Sequence, residues 1–417
     1  MMALRHAAML EVNEFLVLDY IRDHATTTRP EIGHTLDLSA SSVSRIVGRL
    51  LKAGLVVESP GQATSAGRPR STISFNHRAG AVLAVDLGAT TCHGMLTDLS
   101  GSMLSEYERA TEGGGGALPA LSATLFALQA EASRRGLHVD AVAVGIPAIL
   151  DPDTGRAVEG PALDWQDFEI VGHLRAMLDA PFLVENDANL AALAHAWRGD
   201  ARGLRDFVTV VMGAGIGAAV VANGRLVKGR HNAAGELGYL LTSREQLHAL
   251  RLGQATETGE PPGGYGGLEK LAASRSIASR AIALMAAGAA TSMAGQPMTP
   301  GLIFSAAAAG DPVARRIIEE LLDDTALALA AVTAIVDPEV IILDGVIGRS
   351  LRPYLTDLAA RLTGRLPAIP RLCVSGLGPN ATVVGAIAAA LQLARERAAP
   401  SALFGAFTVS GRVERDA

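Results

Sequence analysis

Leu38-Ser-Ala-Ser-Ser-Val-Ser-Arg-Ile-Val-Gly-Arg-Leu-Leu-Lys-Ala-Gly-Leu-Val56 decides how the N-terminal part of this chain folds. Val43, Ile46, Val47, Leu50 and Leu51 recur at helical spacing, Ser39 stands where an N-cap hydroxyl is needed, and Gly54 stops the helix. With that apolar face turned inward, Ser41, Ser42, Ser44, Arg45, Arg49 and Lys52 fall on or near the outward face. Short hydroxyls and guanidinium groups suit close entry into the major groove of DNA, where arginine binds guanine O6 and N7 bidentately. The plain alternative is a solvated charged face on a small helical hairpin.

Working outward, Phe15, Leu16, Leu18 and Ile21 give Val12–His24 an amphipathic pattern, and Thr28-Arg-Pro-Glu31 is a capping box that opens a short helix to Thr35. Downstream, Leu55–Glu58 and Thr72–Phe75 read as paired strands around a tip containing Gly67-Arg-Pro-Arg70. Three helices followed by a hairpin describe a winged helix-turn-helix over residues 1–78. Arg68 and Arg70, held extended by Pro69, suit a narrow minor groove; an exposed turn is the simpler reading of the tetrapeptide alone. Residues 45–78 carry six Lys and Arg against Glu58, on a chain whose net charge is −6. A basic patch confined to one module of an acidic protein points to nucleic acid at that module.

From Ala81 the pattern changes to strands alternating with helices. Apolar segments at 81–85, 94–98, 141–145, 207–211, 218–221, 340–343 and 372–375 are separated by helical periodicity over 121–135, after Asp187, and over 311–336, 351–363 and 381–397. That alternation predicts an α/β body. With 417 residues, 49% of them hydrophobic, the chain can bury more than one core. Its longest apolar run, near Ala326–Val336, is too short to cross a bilayer, and Met1–Leu10 lacks a signal-peptide pattern, so it reads as cytoplasmic. Cys92 and Cys373 are too few for a disulfide framework or a thiolate metal site, and the residues from 401 to 417 read as a tail.

Asp86-Leu-Gly-Ala-Thr-Thr91, Glu185-Asn-Asp-Ala-Asn189, Gly213-Ala-Gly-Ile-Gly217 and Gly235-Glu-Leu-Gly238 occur in that order, with Asn223-Gly-Arg-Leu226 and Val336-Asp-Pro-Glu-Val-Ile-Ile-Leu343 beside them. Together they resemble the ROK family of repressors, open reading frames and sugar kinases, and the head makes the chain similar to its repressor branch. The resemblance implies a bilobed, actin-like ATPase (sugar-kinase-like) fold over residues 79–400, with one lobe roughly 79–187 plus the C-terminal helix and the other 188–379. It also implies that Asn186, Asp187, Glu236 and Glu269 line a sugar, with Asp187 at the family's catalytic-base position. Acid residues that merely cap helix ends are the alternative.

The phosphate side departs from the family pattern. Gly88-Ala89-Thr90-Thr91 stands where family kinases carry Gly-Gly-Thr-Lys, Gly213-Ala214-Gly215 where they carry Gly-Thr-Gly, and Asp344-Gly345 where a Gly-Gly pair is usual. These differences remove a lysine and a hydroxyl and are expected to bring a carboxylate toward the nucleotide. The family's structural zinc is also expected to be absent. Tyr239 replaces its histidine, and Pro261-Pro-Gly-Gly-Tyr-Gly-Gly-Leu268 replaces its cysteine run. Tyr239 can offer its O–H to a sugar or simply pack on Leu237 and Leu240. The expectation is a sugar-responsive repressor without kinase activity or a cofactor, a homodimer or homotetramer on double-stranded operator DNA; an active sugar kinase with a DNA-binding head is the alternative.

Overall fold

The computed structural model describes residues 2–60, 71–111, 116–249 and 266–398. Three helices, α1 (Met2–Asp23), α2 (Arg29–Thr35) and α3 (Ala40–Lys52), precede a hairpin of β1 (Val56–Ser59) and β2 (Thr72–Phe75). Thr28 and Glu31 cap α2 reciprocally, and the Ser39 hydroxyl accepts from the Ser42 N–H at the start of α3. Val43, Ile46, Val47 and Leu50 are buried with Ile32, Val56, Ile73 and Phe75 in one small core, while Leu51 packs at its edge. Helix α1 starts well before Val12, and its inward stripe is Val17, Leu18 and Ile21. Leu16, expected inside, is 39% exposed, because 17, 18 and 21 lie on one helical face and 16 falls beside it.

The body opens with β3 (Ala81–Leu87), β4 (Thr91–Asp98), β5 (Met103–Ala110), α4 (Ala117–Arg134) and β6 (Val139–Ile146). A small antiparallel sheet follows, made of β7 (Ile149–Leu150), β8 (Ala157–Gly160) and β9 (Trp165–Phe168). Then come α5 (Ile170–Met177), β10 (Phe182–Asn186) and α6 (Asp187–Arg198). The second half contains β11 (Phe207–Met212), β12 (Ile216–Ala222), β13 (Arg225–Val227), α7 (Arg244–Ala249), α8 (Glu269–Ala272), α9 (Ser274–Ala286), α10 (Pro300–Ala308) and α11 (Pro312–Val336). It ends with β14 (Val340–Asp344), α12 (Gly345–Ser350), α13 (Leu355–Leu362), β15 (Arg371–Val374) and α14 (Ala381–Arg397).

Two five-stranded sheets share one design. Their orders are β10-β6-β3-β4-β5 and β13-β12-β11-β14-β15, and in each the first strand is central. An antiparallel meander extends to one side of that strand and two parallel strands to the other. Strands covered on both faces need continuous apolar runs, which is why Ala81–Val85 and Val340–Leu343 are fully buried and legible. The edge strand β5, Met-Leu-Ser-Glu-Tyr-Glu-Arg-Ala, is largely exposed and carries no such run.

Helix α6 packs between the two sheets: Leu190 joins the core beneath the first, Ala192 the core of Phe207 and Ala219 beneath the second. Helix α14 lies across α6 so closely that a Cβ on Gly385 would fall 1.7 Å from the Leu190 carbonyl oxygen. The head is seated on the first sheet. The Leu99 N–H donates to the His77 carbonyl at 2.9 Å, Leu99 packs on the head's core, and Arg395 of α14 holds Asp19 and Asp23 of α1 at 2.5 and 3.1 Å.

Candidate functional site

A cleft of about 240 Å³ lies between the two sheets. Asp86 reaches it from the end of β3, Glu159 from β8, Asp187 from the first turn of α6, Glu236 and Tyr239 from the segment after β13, and Glu269 from the first turn of α8. Thr382, at the start of α14, completes the wall. Asp86 sits at the carboxyl end of its strand, where open α/β sheets bind ligands.

The local sequence fixes these groups. Asn186 is the N-cap of α6: its Oδ1 accepts from the N–H groups of Ala188 and Asn189 at 2.9 and 3.2 Å, and its Nδ2 donates to the Ala148 carbonyl at 3.4 Å. Its amide is therefore committed to holding the helix that presents Asp187. Glu269 accepts from the Ile216 N–H at 2.7 Å and the Gly266 N–H at 3.2 Å, tying α8 to the turn before β12. The Tyr239 hydroxyl donates to Glu159, so these two side chains meet across the cleft, and burial together with that acceptor pushes the phenol's pKa up.

Crowding perturbs the acids. Burial, reinforced by Asp187, pushes Asp86 up to about 7. Burial, aided by Glu269 and opposed by the Ala188 N–H, pushes Asp187 up to about 6. Burial followed by the charges of Asp187, Glu269 and Glu159 pushes Glu236 up to about 7. Each raised folded-state pKa means the folded chain binds more protons than the unfolded chain between roughly pH 4 and 7, so stability falls as pH rises through that window. The melting temperature of the unliganded protein is expected to drop between about pH 5 and 7.5, and to drop less in Glu236→Gln. Equal drops in the two proteins would show that Glu236 is solvated.

Of the turns expected to face a phosphate, Gly88, Ala89, Ala214 and Gly215 line the cleft, whereas Thr90 and Gly213 are not in its wall. The expectation for Asp344 needs correction. Its side chain is buried and directed into the protein, 3.3 Å from His195 Nε2, and it accepts from Arg349 at 3.0 Å and the Gly345 N–H at 2.7 Å. Burial opposes its ionisation, but the hydrogen bonds from His195 and Gly345 outweigh it and lower its pKa. Its charge is thus compensated internally instead of being aimed at a nucleotide. Gly345 has φ +77°, and a Cβ there would meet the Met212 carbonyl at 2.3 Å, so this turn requires glycine.

On the head, Ser41, Ser44, Arg45, Arg49 and Lys52 are exposed along α3. Ser42 is half-buried, its hydroxyl accepting from that of Ser39 at 2.9 Å. Arg49 is paired at 2.5 Å with Glu14 of α1, which turns it toward the head's own surface. Arg68 and Arg70 lie outside the described residues. Sequence reading missed Asp86, Glu159 and Thr382 as cleft residues. The position of Asp86 at a strand end was a usable signal; Glu159 and Thr382 had none.

Residues 82–393 match the ROK family and residues 10–63 the MarR family. The xylose repressor of Caldicellulosiruptor bescii is 25% identical over 347 residues, covering 81% of this chain and 84% of the relative. The glucokinase of Halalkalibacterium halodurans is 26% identical over 317 residues, covering 73% and 92%. A solved ROK family transcriptional regulator, described as a homologue of the Escherichia coli Mlc protein, covers 93% of this chain and 97% of its own with a TM-score of 0.75; at 23% identity this is a likeness of fold. The first family match spans both sheets, the cleft between them and most of α14, and the second covers the three head helices: the chain belongs to the ROK family and carries a MarR-type winged helix ahead of its sugar-kinase-like body.

Proposed function

We propose that this protein is a sugar-responsive transcriptional repressor that binds operator DNA through α3 and the wing and a sugar in the carboxylate cleft. The observation that carries this reading is the pairing of an exposed Ser/Arg helix face with a cleft of converging acceptors in one chain. Carboxylates accept the many O–H groups by which sugars are recognised. The repressor relative, which matches across the head as well as the body, supports the same reading. Two-fold operators are read by paired heads, so the working form is a homodimer or homotetramer.

The cleft suits a sensor better than a kinase. Phosphoryl transfer relies on backbone and charged donors around the phosphates; Ala89 and Ala214 line the cleft here, and Thr91 stands in the lysine position. Asp187 is the observation that favours the kinase alternative, because a carboxylate with its pKa raised to about 6 is suited to general-base work. Nor do the residues fit the family's zinc: Cys92 and Cys373 lie on β4 and β15, in different sheets. We infer a protein that needs no metal or cofactor.

Thermal-shift titration with monosaccharides tests the sensor. A binding sugar is expected to raise the melting temperature without ATP, and Asp187→Asn is expected to weaken binding by roughly 1.5–3 kcal/mol, the range for a hydrogen bond to a charged group. ATP with Mg²⁺ adds nothing, and no sugar phosphate forms. Sugar-dependent ATP turnover abolished in Asp187→Asn would instead establish the kinase. For the head, Arg45→Ala is expected to cost about 1–3 kcal/mol of operator affinity and relax base preference at one position. Unchanged gel-shift titrations would remove Arg45 from the interface.

A further inference from the structure

We propose that the cleft's effector is an amine-bearing polyol, of the amino-sugar or aminocyclitol class, whose ammonium group sits among Asp86, Glu159, Asp187, Glu236 and Glu269. The inference rests on the sugar-sensor reading and narrows its ligand. Five carboxyl groups from five separate segments converge on one cavity of about 240 Å³. Among the described residues of its wall, none is lysine or arginine. Lys228 is paired with Glu185, and both line a different cavity of about 410 Å³, on the other side of β10.

The backbone provides only part of what these acids need. Both oxygens of Glu269 accept N–H donors, and Asp187 accepts one, from Ala188. The Asp86 carboxyl has no hydrogen-bond partner among the described residues and faces Asp187 instead. Without a ligand the site answers this crowding by holding protons: Asp86 and Glu236 titrate near 7, above their ordinary range, through burial and mutual repulsion. A neutral polyol would satisfy acceptors and leave that repulsion in place. An ammonium group offsets it, and favours ionised acids that release their protons on binding. A phosphate ester would add between one and two further negative charges to the same cavity.

Calorimetric titration of the full chain with glucosamine and glucose, galactosamine and galactose, mannosamine and mannose, xylose, and glucosamine 6-phosphate tests the inference. At least one amine is expected to bind about ten-fold or more tightly than its neutral partner near pH 7.5. Its apparent enthalpy is expected to change with the ionisation enthalpy of the buffer, which reports proton release. In Glu236→Gln the amine preference shrinks, while affinity for the neutral partner changes less. A neutral sugar binding as tightly as its amine, or the phosphate ester binding more tightly than glucosamine, overturns the inference and leaves the sugar-sensor reading standing. Failure of every compound to bind overturns both.

Discussion

Replacing Gly385 by alanine is expected to force α14 off α6 and to lower both stability and the response to ligand. The new Cβ would lie 1.7 Å from the Leu190 carbonyl oxygen and 2.4 Å from its carbon, both backbone atoms that no rotamer change can withdraw. Overpacking of this kind costs about 1–3 kcal/mol, and more where backbone must move. Because α6 begins with Asp187 and α14 begins beside Thr382, the displacement also distorts the cleft. Gly48→Ala in α3 is the contrast: its Cβ meets nothing within 4 Å, so the helix should gain roughly 0.5–1 kcal/mol. If Gly385→Ala keeps the wild-type melting temperature and ligand response, the helices do not cross as closely as described.

Replacing Arg395 by alanine is expected to leave ligand binding and operator binding individually intact and to weaken the influence of each on the other. Arg395 grips Asp19 with two nitrogens at 2.5 and 2.7 Å and Asp23 with one at 3.1 Å. It is 41% exposed, so the pair contributes about 0–1 kcal/mol to stability, and any larger effect must arise from coupling. The 13 residues from Thr382 to Arg395 span about 20 Å of helix, which puts one end of α14 in the cleft wall and the other on the head. Site-to-site coupling is typically about 1–3 kcal/mol and reciprocal. Operator affinity measured with and without the ligand should therefore differ less in Arg395→Ala, and the exchange Asp19→Arg with Arg395→Asp should restore the difference. An unaltered ligand effect in Arg395→Ala would show that α14 does not carry the signal.

The recognition helix was legible because capping and periodicity agree there: Ser39 starts α3, and four of its five expected core residues are fully inside. The central strands were legible for the same reason, being apolar throughout. What stayed hidden depended on tertiary surroundings. The strand β5 lies at an edge with most of its side chains in solvent, so pairing with β4 is its main constraint. Asp344 looked like a charge aimed at a ligand because sequence does not reveal that His195, in the middle of α6, waits behind it. Glu159 belongs to a four-residue strand of a three-stranded sheet, and only the closing of that sheet over the cleft brings it to Tyr239. Motifs thus located the cleft, but its full complement of acids was a product of folding.

The seating of the head has a consequence for how copies of this protein must be joined. His77, Asp19 and Asp23 are all bound to parts of the first lobe, Leu99 and α14, so the head travels with that lobe as one piece. Copies joined through their first lobes would keep their heads at a constant separation however the cleft opened or shut. Copies joined through their second lobes would work as a pair of calipers, the heads at the free points and the cleft at each pivot, so that a few degrees of closure would change the span between the points. Only that second arrangement lets a molecule the size of a monosaccharide alter a distance measured in base pairs.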